Sequence, residues 1–380
     1  MIYFDNAATT LIKPPEVAQA VLESLGTFGG VGRGVHEASL DASMAVYEAR
    51  SALARLLHAP SASRVSFTCN VTESLNIAIA GLLHPGERAV TTAASHNSVL
   101  RPLYRKRDEE GCEVAIAPIM PDGGLDYGEY SRLLKSGAKL VVATHASNLT
   151  GDVYDVARMA TLAHEAGALF VLDAAQTAGL MPIDMEHDGF DVVAFTGHKS
   201  LYGPQGTGGL AVAEGVSIPP FKTGGTGTHS YDEHHPGRMP ESLEAGTLNG
   251  HGIAGLAAGV VYLDRTGIDV VRRRTSSLRA RFLEGCRGLS NVRVYGGGGM
   301  ANTGIVALNV GEVDAAQVSD ALSVDYGICT RAGAHCAPLM HRALGTEGQG
   351  AVRFSFSHFN TDDEIDEGVQ ALASIVAACS

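Results

Sequence analysis

Val192-Val193-Ala194-Phe195-Thr196-Gly197-His198-Lys199 is an apolar run that stops at a glycine turn and delivers a lysine. Upstream, Leu169-Phe170-Val171-Leu172 is a second apolar run, and it ends in Asp173-Ala174-Ala175-Gln176. Short, continuous apolar runs of this kind, bounded by turn residues, read as strands of a sheet buried on both faces. Two such strands side by side would bring an acid and an amine to one rim of the sheet.

The pattern continues outward from this pair. Val65-Ser66-Phe67-Thr68, Ala89-Val90-Thr91 and Leu140-Val141-Val142-Ala143 read as further strands. Leu75, Ile79 and Leu82 recur at helical spacing across 72–83, and 155–167 reads as a helix between two of the strands. This βαβα alternation predicts an α/β fold, a mostly parallel sheet covered by helices. Ligands in such sheets bind beyond the carboxyl ends of the strands. Thr72, His96, His145, Asn148, Asp173 and His198 all follow apolar runs, so one crevice is expected to gather them.

Another pattern begins near residue 255. A helix over 253–266 leads into a basic helix with Arg272-Arg273-Arg274, then strands at 292–295 and 304–310. A helix at 315–322, a glycine-bearing loop and a strand at 351–357 follow. The last helix opens with Thr361-Asp362-Asp363-Glu364, a capping-box pattern, ahead of Ile365, Val369, Leu372, Ile375 and Val376. We read residues 1–14 as a segment joining the small domain to the active site. Residues 15–252 form a large domain, opening with a helix over 16–25 after Pro14-Pro15, and 253–380 form a smaller α+β domain.

Composition narrows the function. The chain has 380 residues, 45% of them hydrophobic, enough for about two domains of roughly 150 residues. A net charge of −13 argues against nucleic acid as a partner. No apolar run reaches the ~20 residues of a membrane span, and Met1-Ile2-Tyr3-Phe4-Asp5 lacks the pattern of a secretory signal, so a cytoplasmic setting is expected. The six cysteines, at 69, 112, 286, 329, 336 and 379, form no C-x-x-C pair and are expected to be free thiols in a reducing compartment. His229, His234 and His235 lie in an unusual loop over 223–240, but no cysteine or carboxylate spacing accompanies them, and no metal is expected. The loop reads as polar, near the site mouth or a dimer edge.

Asp173 and Lys199 together make the pairing that pyridoxal 5′-phosphate asks for: a carboxylate to keep the pyridine nitrogen protonated and an amine to hold the aldehyde as a Schiff base. Further motifs stand in order along the chain: Asp5-Asn6-Ala7-Ala8-Thr9, Asn70-Val71-Thr72-Glu73, Ser95-His96-Asn97, Asn148, Glu244-Ala245-Gly246-Thr247, Arg331-Ala332-Gly333-Ala334-His335-Cys336 and Arg353. On these the chain resembles the fold-type I pyridoxal phosphate enzymes of the class V aminotransferase family, and more narrowly the group II cysteine desulfurases. The resemblance implies a large domain built on a mostly parallel seven-stranded sheet and a smaller α+β C-terminal domain. The activity it implies converts L-cysteine to L-alanine with sulfur passed to Cys336 as a persulfide. Selenocysteine lyase, another C–S lyase, an epimerase, a transaminase, or a pyridoxal phosphate-binding sulfur-transfer scaffold with little turnover are the alternatives.

Roles carried by the resemblance follow residue by residue. Lys199 holds the cofactor and then acts as base, Asp173 pairs with the ring nitrogen, and Gln176 and Asn148 face the ring oxygen. His96 stacks on the ring. Thr72, Thr196 and His198 supply phosphate donors, and Thr247 reaches the phosphate of the neighbouring subunit in a homodimer. Arg353, with Asn148, Asn6 and Ala7, receives the substrate carboxylate; for the arginine alone, an internal salt bridge is the other reading. Cys336 is the expected nucleophile, with Arg331 and His335 as sources of nearby positive charge. The substrate is L-cysteine or L-selenocysteine, and a sulfur-acceptor protein is an expected partner. Asn70-Val71 stands where the family often has glycine, which puts the backbone donors there in doubt.

Overall fold

The computed structural model describes residues 1–32 and 34–379. Its centre is a seven-stranded sheet in the order Val65–Thr68, Gly208–Val212, Val192–Thr196, Leu169–Asp173, Ala138–Thr144, Arg88–Thr92, Glu113–Ala117. Gly208–Val212 runs antiparallel to both neighbours, and every other pairing is parallel. The mostly parallel seven-stranded α/β sheet is therefore as expected. Alternation along each strand sorts the side chains. Phe170, Leu172, Val193 and Phe195 join the apolar cluster on one face, and Val171, Val192 and Ala194 join that on the other. With helices over both faces, these strands have no solvent side and no polar alternation.

Local signals placed the helices. Pro15 opens the Pro15–Thr27 helix. The Asn70 side chain accepts from the Glu73 N–H and starts the Val71–Leu82 helix. Asp155 does the same for Val156–Glu165. At Asp362–Ala378 both halves of the Thr361/Glu364 capping box are made.

The second sheet is antiparallel, in the order Val292–Tyr295, Ile305–Val310, Ala351–Ser355, Arg331–Gly333. Phe282 from the Ile268–Cys286 helix packs with Phe354, Phe356 and Phe4 in its core. The basic helix spends its charge internally: Arg274 donates to Asp362 at 2.6 Å and Arg281 holds Asp366 through two bonds of 2.6 Å. The chain's first residues belong to this unit, since Ile2–Tyr3 pairs in parallel with Ile328–Cys329.

We place the domain boundary at Gly267 rather than between residues 252 and 253. The Gly250–Thr266 helix packs on Pro15–Thr27 and Glu37–Leu56, and its Ile253, Leu256, Val260 and Leu263 join the core of the large sheet. Its apolar face thus serves the large domain. Among the described residues no helix is long and apolar enough to cross a membrane.

Candidate active site

The carboxyl ends of the central strands open into a cavity of about 350 Å³. Leu169–Asp173 and Val192–Thr196 lie side by side in parallel, with Asp173 opposite Ala194, so the carboxylate and the amine of Lys199 line the same space. Gly197 makes the turn between strand and lysine because a Cβ there would collide with the Thr207 hydroxyl. The N-terminal segment holds the turn from above. Thr9 Oγ1 and the Thr10 N–H donate to the His198 carbonyl at 3.2 and 3.1 Å, and Thr10 Oγ1 donates to the Lys199 carbonyl at 3.0 Å.

Burial governs both charged groups. It lowers the Lys199 ammonium to about 8; Asp173 opposes the shift, and Arg353 and Arg331 add to it. Burial raises the Asp173 carboxyl, against the Ala175 N–H, which donates to Oδ1 at 3.0 Å, and against Lys199. Asp173 is only 3% exposed, and among the described residues its carboxylate makes no ion pair, Lys199 acting on it only electrostatically.

His96 caps the Asn97–Glu110 helix. Its Nδ1 accepts from the Ser98 N–H at 3.0 Å and lies 2.8 Å from Ser98 Oγ, which in turn lies 2.9 Å from Thr72 Oγ1. With Nδ1 accepting, this network assigns the proton of the neutral ring to Nε2. Burial first, then Lys199 and Arg331, lower the imidazole to about 4. His198 is lowered to about 4 by burial and then by Lys199. Both rings are neutral near pH 7. The Asn70 cap spends its side chain on Glu73, leaving the N–H groups of Val71 and Thr72 in the first helical turn, where no intrahelical acceptor exists. Residues 70–72 line the cavity, so these donors survive the departure from glycine.

Across the cavity, Arg353 is 1% exposed within its strand. Its Nη2 donates to Asp5 Oδ1 at 2.6 Å and its Nη1 to the Asn148 carbonyl at 2.9 Å, while Nε is buried without a partner. An internal salt bridge and a place on the cavity wall therefore coexist. Asn148 Nδ2 donates to the His335 carbonyl at 2.7 Å, and the Asn97 N–H donates to the Cys336 carbonyl at 2.8 Å. His335 and Cys336 stand at φ 49° and 55°, a left-handed pair that costs non-glycine residues about 1–3 kcal/mol each. These bonds hold it, and the Cys336 side chain is exposed at the cavity rim. The positive charge expected from His335 is not there: burial and then Arg353 push its imidazole down to about 3, leaving Arg331 as the cation of this loop.

Ala7, Thr72, His96, Asn148, Asp173, Gln176, Thr196, His198, Lys199, Cys336 and Arg353 all line the cavity. Asn6 does not. Its Nδ2 is shared among the Tyr3 and Ser355 carbonyls and Asn360 Oδ1 at 3.2, 3.0 and 3.3 Å, tying the N-terminal segment to the small sheet. Ala7 lines the wall with its backbone engaged: its N–H donates to Ser355 Oγ at 2.9 Å and its carbonyl accepts from Gln176 Nε2 at 3.1 Å. His145 is buried outside the cavity. Thr247 is exposed and borders a separate hollow with Tyr47, Arg50 and Glu244. Two supports went unread in the sequence. Ser98 orients His96, and its position in the first turn after a histidine cap was the available signal. Arg50 grips Glu244 through bonds of 2.7 and 2.5 Å while Glu244 accepts from the Phe67 N–H at 2.6 Å; nothing local marks a partner so distant in the chain. Among the described residues, no three His, Cys, Asp or Glu side chains converge as a metal site; in the 223–240 loop His229 pairs with Asp232 and His235 with the Glu241 carbonyl.

The residues fit pyridoxal 5′-phosphate. Thr196 Oγ1, His198 Nδ1 and Asn148 Oδ1 are buried polar atoms without partners in the wall of one cavity, and such atoms ordinarily find a partner. A buried acid without a contacting cation, an amine lowered to about 8 and a helix N-terminus complete the set.

Fold and site together define a pyridoxal phosphate enzyme, and the chain belongs to the class V aminotransferase family: the family model "Aminotransferase class-V" matches residues 2–367. Among its relatives, the "probable cysteine desulfurase" of Pyrococcus abyssi is 34% identical, over 99% of this chain and 94% of its own length. The cysteine desulfurase of Haloferax volcanii is 33% identical, over 98% and 88%. The apo structure of the cysteine desulfurase from Thermococcus onnurineus superposes with a TM-score of 0.93 at 34% identity, covering 99% of this chain and 95% of that one.

Proposed function

We propose that this chain is a pyridoxal phosphate-dependent cysteine desulfurase, with Lys199 as its base and Cys336 as its sulfur carrier. One observation carries the reading: the exposed thiol of Cys336 borders the same cavity as Lys199, Asp173 and His96. Bound pyridoxal phosphate supplies an electron sink next to the substrate α-carbon.

The chain supplies the rest. Asp173 would hold the protonated ring nitrogen, giving its buried carboxylate the cation it lacks. The Val71 and Thr72 N–H groups, Thr196 and His198 would hold the phosphate. Gln176 and Asn148 would hold the ring oxygen, and His96 would cover the ring and offer Nε2–H to the substrate. Arg353 offers its uncommitted N–H donors to the substrate carboxylate. With its ammonium lowered to about 8, Lys199 has an appreciable neutral fraction at physiological pH and takes the α-proton of L-cysteine. The Cys336 thiolate attacks the substrate sulfur. A sulfur–sulfur bond forms and the substrate Sγ–Cβ bond breaks with its electron pair left on Cβ. That carbon takes a proton, Lys199 returns a proton to the α-carbon, and the product leaves as L-alanine, while Cys336 keeps the outer sulfur as a persulfide.

Among the described residues, none of the other five thiols borders the cavity that holds Lys199. Burial and Glu73 push the Cys69 thiol up, burial lifts Cys286 to about 11, and Cys112 is buried. A cytoplasmic, reducing setting fits six free thiols. We place the working enzyme as a homodimer in which Thr247 serves the partner copy's phosphate. Its exposure and its absence from the cavity of its own chain support this. So does the exposed stripe of Leu40, Met44 and Tyr47, whose Tyr47 borders the same hollow as Thr247.

The test is alanine release from L-cysteine with dithiothreitol, comparing wild type with Cys336→Ala while the absorbance of the bound cofactor is followed. We expect alanine release to fall on the order of 10³-fold or more with the cofactor band intact, the scale of losing a covalent nucleophile. Equal release from the variant would remove Cys336 from the reaction. A cofactor band without alanine from either protein would redirect the search to selenocysteine and other amino acids.

A further inference from the structure

Cys336 faces two ways. It borders the cavity described above, and it also borders an open groove of about 380 Å³ along the Asn97–Glu110 helix, lined by Asn76, Asn97, Arg101, Pro102 and Arg105. Thr72, His96 and Ser98 are common to both spaces, so the groove is the outer approach to the sulfur carrier.

Arg101 and Arg105 lie one helical turn apart, both exposed, and Arg331, also exposed, lines the cavity that Cys336 borders. Among the described residues none of the three guanidinium groups pairs with a carboxylate, although most ion pairs of this chain are made by arginine. Arg101 and Arg331 both act on His96 electrostatically, so their charges converge on the mouth. On a chain of net charge −13, an unneutralised basic rim around one thiol is a local reversal of field, and such reversals steer partners of opposite sign.

We propose that the Arg101–Arg105 rim is the docking surface for a sulfur-acceptor protein that presents its cysteine among acidic residues. The proposal rests on Cys336 as sulfur carrier and adds the chemistry of the partner. The acceptor thiolate attacks the outer sulfur of the Cys336 persulfide. A new sulfur–sulfur bond forms on the acceptor, the bond to Cys336 breaks, and Cys336 leaves as a thiolate. Positive charge at the rim helps by drawing in the acidic face and by favouring the acceptor's thiolate over its thiol. Nucleic acid fits the rim less well, because a long phosphate backbone would extend beyond these few arginines over a chain of net charge −13.

The holoenzyme is loaded with L-cysteine, freed of substrate, and mixed with short peptides carrying one cysteine between acidic, neutral or basic residues; persulfide transfer is followed by mass spectrometry. Acidic peptides should accept about tenfold or more faster than basic ones at low salt, the preference shrinking as salt shortens the screening length. Arg101→Gln with Arg105→Gln should erase the preference while alanine release with dithiothreitol stays at the wild-type rate. Binding of the acidic peptide with serine for cysteine, read by fluorescence anisotropy, should weaken in the same variant. Equal acceptance of all peptides, or a preference that survives the double substitution, would overturn the proposal. So would inhibition by an RNA oligonucleotide without any peptide preference. If dithiothreitol yields no alanine yet the acidic peptide still binds through Arg101 and Arg105, the sulfur-carrier reading has failed and the surface stands.

Discussion

Lys199 shows how much one side chain owes to its surroundings. A free lysine titrates near ~10.4, and burial in this cavity brings the group to about 8. Labelling of the apo protein with an amine-directed reagent, mapped by mass spectrometry, should therefore show Lys199 becoming reactive with a midpoint near pH 8, while exposed lysines follow the ordinary value. A midpoint shared with the surface lysines would mean that the cavity is wetter than its walls imply. The sign for stability follows from the same shift. The folded value lies below the unfolded one, so the unfolded chain binds the proton more tightly. Stability is reduced below about 8 and rises with pH between that value and the ordinary one.

At the scale of elements, a few polar struts hold the site-bearing segments in place. The Arg50–Glu244 pair is buried on both sides and joins the Glu37–Leu56 helix to the segment that carries Thr247. Glu244 also accepts from the strand at Phe67. Arg50→Ala would leave that carboxylate buried and uncompensated, a loss of about 3–5 kcal/mol. The check is the midpoint of denaturant unfolding. A change within about 0.5 kcal/mol, the size of an ordinary surface substitution, would show that water replaces the guanidinium.

For the whole molecule, the exposed apolar stripe of Leu40, Met44 and Tyr47 and the outlying Thr247 make the dimer the testable unit. Sedimentation should give twice the chain mass. Thr247→Ala should weaken retention of pyridoxal phosphate about tenfold, the worth of one hydrogen bond to a charged group, with circular dichroism unchanged. Cofactor retention that is equal in the variant, or tight in a monomer, would take Thr247 out of the site.

Local chemistry carried much of this in the sequence. Apolar runs ending in Asp173 and in Thr196-Gly197-His198-Lys199 marked parallel strands and their ligand end, because a strand buried on both faces is mostly apolar until it stops. The cap at Thr361 was legible too, since a helix end must satisfy its first N–H groups within a few residues. The rest depended on contacts between distant segments. Arg353 meets Asp5 at the far end of the chain, and Arg50 meets Glu244. His335 loses its charge to burial beside Arg353. Asn6 turns away from the cavity to hold Ser355 and Asn360. The Gly250–Thr266 helix shows the same apolar spacing whichever sheet it covers, and packing assigned it to the large one. Charge state, side-chain direction and domain membership are set by neighbours that only folding supplies.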